Sequence, residues 1–314
     1  MNPIMNDVAA AFNAVSVHAT SISIDRAGVV LPPGGHFQGI QRMVDKAFAS
    51  PKSREQELLV LTSSSDEQAY FVPCAMADDG LSGRAFSPVT MAMSPLRHAG
   101  GCQSFGNFLV AGIEDNDTNR VSEVQFWDFT RYPTQIIPMT IPRSGKEKVS
   151  TAGAVGLTSF NNGAVLAVGT YDSDTIDFYV SDGDPFGGSP LTLRLTWVAS
   201  QANKTNWSDQ NFLTYQNLNL LTQVGNNLFM VGFQRSGGKD FMDLYSLDVT
   251  VVDPNDALTK VASQHMFCTD GCTFHYGGGL HALSADRFEV YAVNGDSGPY
   301  NTGTTIHANI FSAI

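Results

Sequence analysis

The fold is decided by the stretch 150–180, which reads STAGAVGLTSFNNGAVLAVGTYDSDTIDFYV. Small and apolar residues come first, followed by the turn NNG, an apolar run, the acidic turn YDSD and a run in which apolar and polar residues alternate. Tight turns of this kind join the strands of β-hairpins, and alternation is typical of a strand with one buried face. The stretch therefore predicts three antiparallel strands in a meander.

The same order of segments recurs in five units along the chain. Each unit has a glycine-rich or polar strand a, an apolar strand b, a polar turn and an aromatic-containing strand c. We predict strand a at residues 36–43, 98–105, 153–160, 217–224 and 276–283. Strand b is predicted at 58–63, 108–113, 164–170, 228–233 and 288–293, and strand c at 68–72, 123–129, 175–180, 241–247 and 304–311. Four units continue into a strand d at 86–93, 134–141, 191–198 and 258–266.

The fifth unit lacks a strand d, and a further strand at residues 16–25 precedes the first unit. Pairing that strand with the last unit completes the set and leaves no exposed sheet edge. The sequence thus predicts an all-β fold, a five-bladed β-propeller closed by its N-terminal strand. It would be one domain, 1–314, with blades at approximately 34–95, 96–142, 149–200, 211–267 and 273–314 plus 16–25. The alternatives are a β-sandwich or two small all-β domains.

The glycines of strand a have a physical reason in this fold. Inner strands converge on the propeller axis, and only small side chains allow a close approach. The glycines concerned are Gly39, Gly100, Gly101, Gly153, Gly156 and residues 277–279. Residues 41–50, in contrast, mix Arg42, Asp45 and Lys46 with apolar side chains, which predicts a short helical insertion.

Charge and hydropathy limit the class of partner. The chain has 18 Lys and Arg against 30 Asp and Glu, a formal net charge of −12, so nucleic acid and anionic membranes should be repelled. No apolar run approaches the roughly 18 residues that span a bilayer, so no membrane insertion is expected. Residues 1–15 include Asn6 and Asp7 and do not resemble a secretory signal, although a chain whose leader had been removed would look the same. A cytoplasmic and a secreted location both stay open.

The cysteines allow three interpretations. Cys268 and Cys272 could close a small disulfide loop in an oxidising compartment, or supply half of a zinc site. Free thiols are the simpler interpretation, because four cysteines are too few for a disulfide scaffold.

Aligning the strands a predicts a ligand site at one end of the axis, which we call the mouth. Equivalent first positions hold His36, His98, Asn217 and Tyr276, and Gln38 follows two residues after His36 on the same strand face. Adding the neighbouring His275, and Trp207 as an exposed stacking platform for a sugar ring, gives a set suited to sugars or other polar metabolites. The alternative is that each histidine binds the backbone of a neighbouring blade.

Two metal sites are also conceivable. His36 and His98 could bind a divalent metal, but no carboxylate accompanies them in strand a. The turns between strands b and c carry Asp115, Asp117, Asp172 and Asp174, whose oxygens would suit calcium. Asp and Asn are also ordinary β-turn residues, which is the simpler interpretation.

The five-fold strand order, with glycines in the same strand of several units, resembles the five-bladed β-propeller superfamily over nearly the whole chain. That superfamily includes furanosidase-type glycoside hydrolases, a calcium-dependent nucleotidase and sugar-binding lectins. The resemblance is architectural, and fold alone does not give function. We therefore predict a non-catalytic binding propeller that recognises a small polar ligand, a glycan or a partner protein at the mouth. The alternative is a metal-dependent hydrolase of a glycan or a phosphorylated substrate.

Overall fold

The structure is a computed structural model that describes residues 2–45, 56–130, 132–295 and 303–313. No helix among these residues is long and apolar enough to cross a membrane. The chain starts with helix α1 (Val8–Ala14) and strand β1 (Thr20–Asp25). Asp7 caps α1, because its side chain accepts a hydrogen bond from the Ala10 amide at 2.9 Å.

The remaining strands follow the predicted units. The first unit contains β2 (Phe37–Asp45), β3 (Gln56–Ser63), β4 (Gln68–Met76), β5 (Ser82–Ala85) and β6 (Val89–Met93). The second contains β7 (His98–Phe105), β8 (Phe108–Glu114), β9 (Val121–Asp128), β10 (Thr134–Gln135) and β11 (Ile141–Ser144). The third contains β12 (Ala154–Phe160), β13 (Gly163–Gly169), β14 (Thr175–Ser181) and β15 (Thr192–Val198). The fourth contains β16 (Asn217–Gln223), β17 (Asn227–Ser236), β18 (Lys239–Leu247) and β19 (Leu258–Met266), and the last contains β20 (Cys272–Ala282), β21 (Phe288–Asn294) and β22 (Thr305–Phe311). Short 3-10 helices span Ile137–Met139, Pro185–Gly187, Ala199–Gln201 and Pro254–Asp256.

The described strands form four sheets, and the largest holds nine strands. In that sheet β1 pairs antiparallel with β22, from Thr20 opposite Ile310 to Asp25 opposite Thr305, which confirms the predicted pairing of the N-terminal and last strands. The other edge of β1 pairs in parallel with β5 over only three residues. This short contact joins the meander of the first unit to that of the last.

The inner strands β2, β7, β12, β16 and β20 lie around one axis, and each packs against at least two of the others. Each hydrophobic cluster draws its side chains from successive units. One cluster, for example, packs Val110 and Phe126 of the second unit against Leu157 and Leu166 of the third. Sheets that radiate from an axis and bury their faces against one another have the arrangement of a β-propeller.

The glycines of the inner strands permit this close packing, as predicted. A Cβ atom at Gly100 would lie 2.1 Å from the carbonyl oxygen of Gly153, and one at Gly279 would lie 1.7 Å from that of Ile40. Neither distance is possible for a real side chain, so a larger residue would force the neighbouring strands apart.

Two local predictions are wrong. Residues 41–45 belong to strand β2 and not to a helical insertion, because they pair with β3 in continuous register down to Asp45 opposite Gln56. The rest of that predicted helix, 46–50, lies outside the described residues. The fourth strand of the second unit is also interrupted, since a 3-10 helix containing Pro138 separates β10 from β11. A proline cannot donate the ladder hydrogen bond that a continuous strand needs.

Candidate functional site

A polar cavity of about 550 Å³ lies at the mouth, and all five units contribute to its lining. The first unit supplies His36, Gln38 and Asp66, and the second supplies Arg97, His98 and Glu114. The third supplies Tyr171 and Asp172, the fourth Gln216 and Arg235, and the last His275. We refer to this space as the mouth cavity. It brings together charged and hydrogen-bonding groups that are far apart in the sequence.

Four of the predicted ligand-binding residues line the mouth cavity: His36, Gln38, His98 and His275. Asn217 is not in the lining, since it is fully buried and its side-chain amide donates to the Gln38 carbonyl oxygen at 3.0 Å. Tyr276 is behind the lining, where its ring packs 5.1 Å from the ring of His36 and 5.0 Å from that of His275. The structure therefore brings four of the predicted residues into one cavity lining and places Asn217 and Tyr276 in contact with lining residues.

The prediction of an exposed Trp207 is wrong. Its indole is buried with Trp197 and Tyr245, and its ring N–H donates to the Leu258 carbonyl oxygen at 3.1 Å. The residues before β16 fold back over the third and fourth sheets and cover an aromatic cluster there. Trp207 thus has a packing role and no access to a ligand.

His36 is held by local contacts within the mouth. Its Nδ1 atom lies 2.7 Å from the side-chain nitrogen of Gln38 and 3.2 Å from the Phe37 carbonyl oxygen. Burial lowers the pKa of His36, and the nearby His98 and His275 lower it further, while the Phe37 carbonyl acts in the opposite direction. His98 and His275 are thus both close enough to His36 to act on its charge.

The carboxylates of the mouth were not predicted as mouth residues. Asp66, Glu114 and Asp172 come from the first, second and third units, at or just after the end of strand b. The end of strand b pairs with the beginning of strand a in a hairpin, so these residues reach the same end of the axis. The register could have revealed this, because Glu114 lies directly opposite His98.

Glu114 and His98 form a close pair inside the cavity wall. The Oε1 atom of Glu114 lies 3.2 Å from Nδ1 of His98, and Oε2 accepts a hydrogen bond from the Ala152 amide at 3.0 Å. The side chain of Glu114 is fully buried, whereas 11% of the His98 side chain is exposed. The contact between Oε1 and Nδ1 falls short of good hydrogen-bond alignment, and neither atom has another hydrogen-bond partner in the described part of the chain.

The two arginines of the mouth have different surroundings. Arg97 donates to the Asp66 carbonyl oxygen at 2.8 Å and also pairs with Asp117. Arg235 is more exposed, and its nearest carboxylate oxygen, on Asp240, is 4.0 Å away. The cavity therefore holds guanidinium groups beside carboxylates and imidazoles, a combination that binds polar ligands through several directed hydrogen bonds.

The predicted metal ligands do not assemble into a metal-binding group. Among the described residues, no cluster of three or more His, Cys, Asp or Glu side chains is arranged to hold a metal ion. Asp115 accepts bonds from Asp117 and Thr118 within its own turn, and Asp174 accepts one from the Thr170 hydroxyl at 2.9 Å. These aspartates stabilise β-turns, which is the simpler of the two interpretations of the sequence.

Buried amide side chains link the inner strands to one another. Gln41 donates to the Asn219 side-chain oxygen at 3.1 Å, and Gln103 donates to the Leu220 carbonyl oxygen at 2.8 Å while accepting from the Leu157 amide. At the end of the axis opposite the mouth, the Asn2 side chain donates to the Ser104 carbonyl oxygen at 2.8 Å. Polar residues of the inner strands thus bind neighbouring blades across the axis beneath the cavity.

No family model and no curated protein matches the chain. Solved structures with a similar chain path include a GH43_1 enzyme from Xanthomonas citri complexed with xylose, at 7% identity, with 91% of each chain covered and a TM-score of 0.49. A match to an aldose sugar dehydrogenase from Streptomyces coelicolor has 12% identity and a TM-score of 0.40, and it covers 91% of this chain and 83% of the dehydrogenase. A match to an alpha-L-arabinofuranosidase from Fusarium graminearum has 10% identity and a TM-score of 0.42, and it covers 88% of this chain and 77% of the arabinofuranosidase.

Proposed function

We propose that the mouth cavity binds a glycan and that the protein hydrolyses a glycosidic bond there. The observation that supports this most is the convergence of Asp66, Glu114 and Asp172, from three consecutive units, on one polar cavity. This differs from our sequence-based preference for a non-catalytic propeller, which rested on finding no carboxylate in strand a. The carboxylates reach the mouth from strand b and the turn after it.

Most glycoside hydrolases use two carboxyl groups, one to protonate the leaving oxygen and one to act as a base or nucleophile. Asp66 is exposed and Asp172 is half-buried, so both carboxylates can contact a ligand in the cavity. The imidazoles, Gln38 and the arginines offer hydrogen bonds to sugar hydroxyls. A cavity of about 550 Å³ is also within the size range of small-ligand sites.

A binding protein without turnover is the second candidate. It is favoured by Arg97 and Arg235, which line the cavity and suit recognition of an anionic group as well as of neutral hydroxyls. The ligand would still be a glycan or another small polar molecule. If a divalent metal binds with it, elemental analysis of the purified protein would detect the metal.

The test compares Asp66→Asn and Asp172→Asn with the unaltered protein on a panel of chromogenic glycosides and on a glycan array. We expect kcat to fall by about 10²–10⁴-fold in at least one variant while glycan binding persists, because a neutral amide cannot transfer the proton. Asp182→Asn is the matched control, since Asp182 is exposed at the opposite end of the third sheet. Glycan binding without turnover would support the second candidate, and neither binding nor turnover would refute both.

We also propose that the ring has five blades, one for each predicted unit. The nine-stranded sheet contains two complete meanders, β2–β4 and β20–β22, which β1 joins through its three-residue pairing with β5. Counting these meanders as separate blades gives five blades in one domain, with β1 as the outer strand of the last.

A further inference from the structure

We propose that Glu114 is a positioning residue that fixes the imidazole of His98, so that the Nε2 atom of His98 transfers protons in the mouth cavity. This rests on the proposed function of the mouth as a hydrolytic site. It assigns different roles to two neighbours, because Glu114 is buried while part of the His98 ring faces the cavity.

The backbone fixes the relative position of the pair. His98 is the first residue of β7 and Glu114 the last of β8, and the two residues are direct partners in the register. The Ala152 amide of the next unit binds Oε2 of Glu114 at 3.0 Å, which holds the carboxylate in place and leaves Oε1 beside Nδ1 of His98. Three segments of the chain therefore place the carboxylate beside the imidazole.

Burial of Glu114 favours a proton between the two atoms. A carboxylate without access to water is unfavourable unless hydrogen bonds or an opposite charge compensate it. Oε1 of Glu114 and Nδ1 of His98 have no aligned hydrogen-bond partner in the described part of the chain, and the two atoms lie 3.2 Å apart. A proton on Nδ1 serves both atoms, and it leaves Nε2 as the exchangeable position of the ring.

His98 differs in this respect from the other two histidines of the mouth. Nδ1 of His36 lies near the Gln38 side chain and the Phe37 carbonyl oxygen, and His275 packs against Tyr276. Among the described residues, a carboxylate oxygen lies within 4 Å of a ring nitrogen for His98 but not for His36 or His275. A carboxylate that orients an imidazole is the arrangement by which hydrolases select the tautomer of a catalytic base.

The chemical step balances without a further reagent. Nε2 of His98 takes a proton from water as the water oxygen bonds to the anomeric carbon. The bond from that carbon to the leaving oxygen breaks, and the leaving oxygen takes a proton from the carboxyl group of Asp66 or Asp172. Proton exchange with solvent then restores both groups.

The first measurement is the ¹⁵N spectrum of ring-labelled histidine in the full-length protein at neutral pH, with the His98 signals identified by their loss in His98→Gln. We expect Nδ1 of His98 to carry a proton in the unaltered protein. Glu114→Gln should reverse this, because its oxygen remains on the Ala152 amide and its NH₂ group then faces Nδ1 as a donor. A deprotonated Nδ1 in the unaltered protein overturns the proposal even if Glu114→Gln fails to fold.

The second measurement is turnover of a glycan that the unaltered protein hydrolyses. Glu114→Gln should lower kcat by about 10²–10⁴-fold with little change in KM, because the tautomer is wrong while the cavity is intact. Glu147→Gln, an exposed carboxylate, is the control and should leave both constants unchanged. Full activity in His98→Gln refutes the proton-transfer role. If Nδ1 is protonated but no glycan is turned over, the proposed function fails and the positioning of His98 by Glu114 stands.

Discussion

At the scale of single residues, a buried lysine and two aspartates outside the mouth cavity form a network that stabilises the fold. The side chain of Lys260 is 1% exposed, and its ammonium group lies 3.0 Å from Asp209 and 3.2 Å from Asp243. Asp243 also accepts a hydrogen bond from the Tyr215 hydroxyl at 2.6 Å. Burial, then the neighbouring Tyr245 and Asp243, raises the pKa of Tyr215 well above its ordinary value, so this hydroxyl remains a donor.

Lys260→Met should destabilise the protein by about 3–5 kcal/mol, because it leaves the buried Asp243 carboxylate without its cation. Chemical denaturation of the purified variant measures this change. Lys239→Met is the control, since Lys239 is exposed and should cost less than about 0.5 kcal/mol. A loss below 1 kcal/mol for Lys260→Met would show that the pair contributes little to stability.

The sequence could not reveal this network or the burial of Trp207. Lys260 belongs to β19 and Asp209 to the loop before β16, so their contact depends on how that loop folds over the fourth sheet. His36, His98 and His275 were predictable as mouth residues, because they lie at or next to the aligned first positions of strand a, at the mouth end of the axis. Glu114 was not assigned to the mouth because the mouth residues were predicted from strand a alone, although the register of Glu114 with His98 follows from a simple hairpin.

At the scale of elements, alternation and turn residues predicted the strands well. The predicted strands 98–105 and 258–266 coincide with β7 and β19. The helix α1 was missed, since seven residues carry little helical periodicity and its stability depends on packing Val8 and Phe12 into the core between the last two units. Prediction failed where tertiary packing decides the local structure.

The inner strands supply a prediction at this scale. Gly279→Ala should destabilise the protein by about 3 kcal/mol or more, because the added Cβ atom meets the Ile40 carbonyl oxygen at 1.7 Å and cannot be accommodated by a rotamer change. Gly187→Ala is the matched control, where the nearest atom lies 3.4 Å away on the Asp184 side chain. Thermal unfolding of both variants measures the difference. Equal melting temperatures would contradict the close packing of β20 against β2.

At the scale of the whole molecule, the chain is closed by two contacts of its first residues. β1 pairs with β22, and α1 packs into the core beside them. The sequence indicated that the last unit lacks one strand and that an extra strand precedes the first unit, so that the extra strand could complete the last unit. Their pairing required no knowledge of side-chain contacts, which is why it was predictable while the details of the mouth were not.

The last prediction separates these two contacts with three chains. A chain of residues 16–314 keeps β1 but lacks α1 and the residues around it, including the buried Met5, and it should be less stable but monomeric. A chain of residues 28–314 also lacks β1, which exposes the edge of β22, and it should aggregate. In the third chain, residues 28–313 are followed by a Gly/Ser loop of about four residues and then by residues 16–26, so that β1 follows β22 as a hairpin.

The third chain should recover the solubility and cooperative unfolding of the 16–314 chain, because a strand protects the edge of β22 wherever it is joined. The backbone favours this connection, since the Ser16 amide donates to the Ser312 carbonyl oxygen at 3.0 Å, which places the start of the moved segment beside the end of β22. Light scattering and thermal unfolding of the three chains give the comparison. Closure by β1 would be refuted if the 28–314 chain matched the 16–314 chain in solubility and melting temperature, because the edge of β22 would then need no partner.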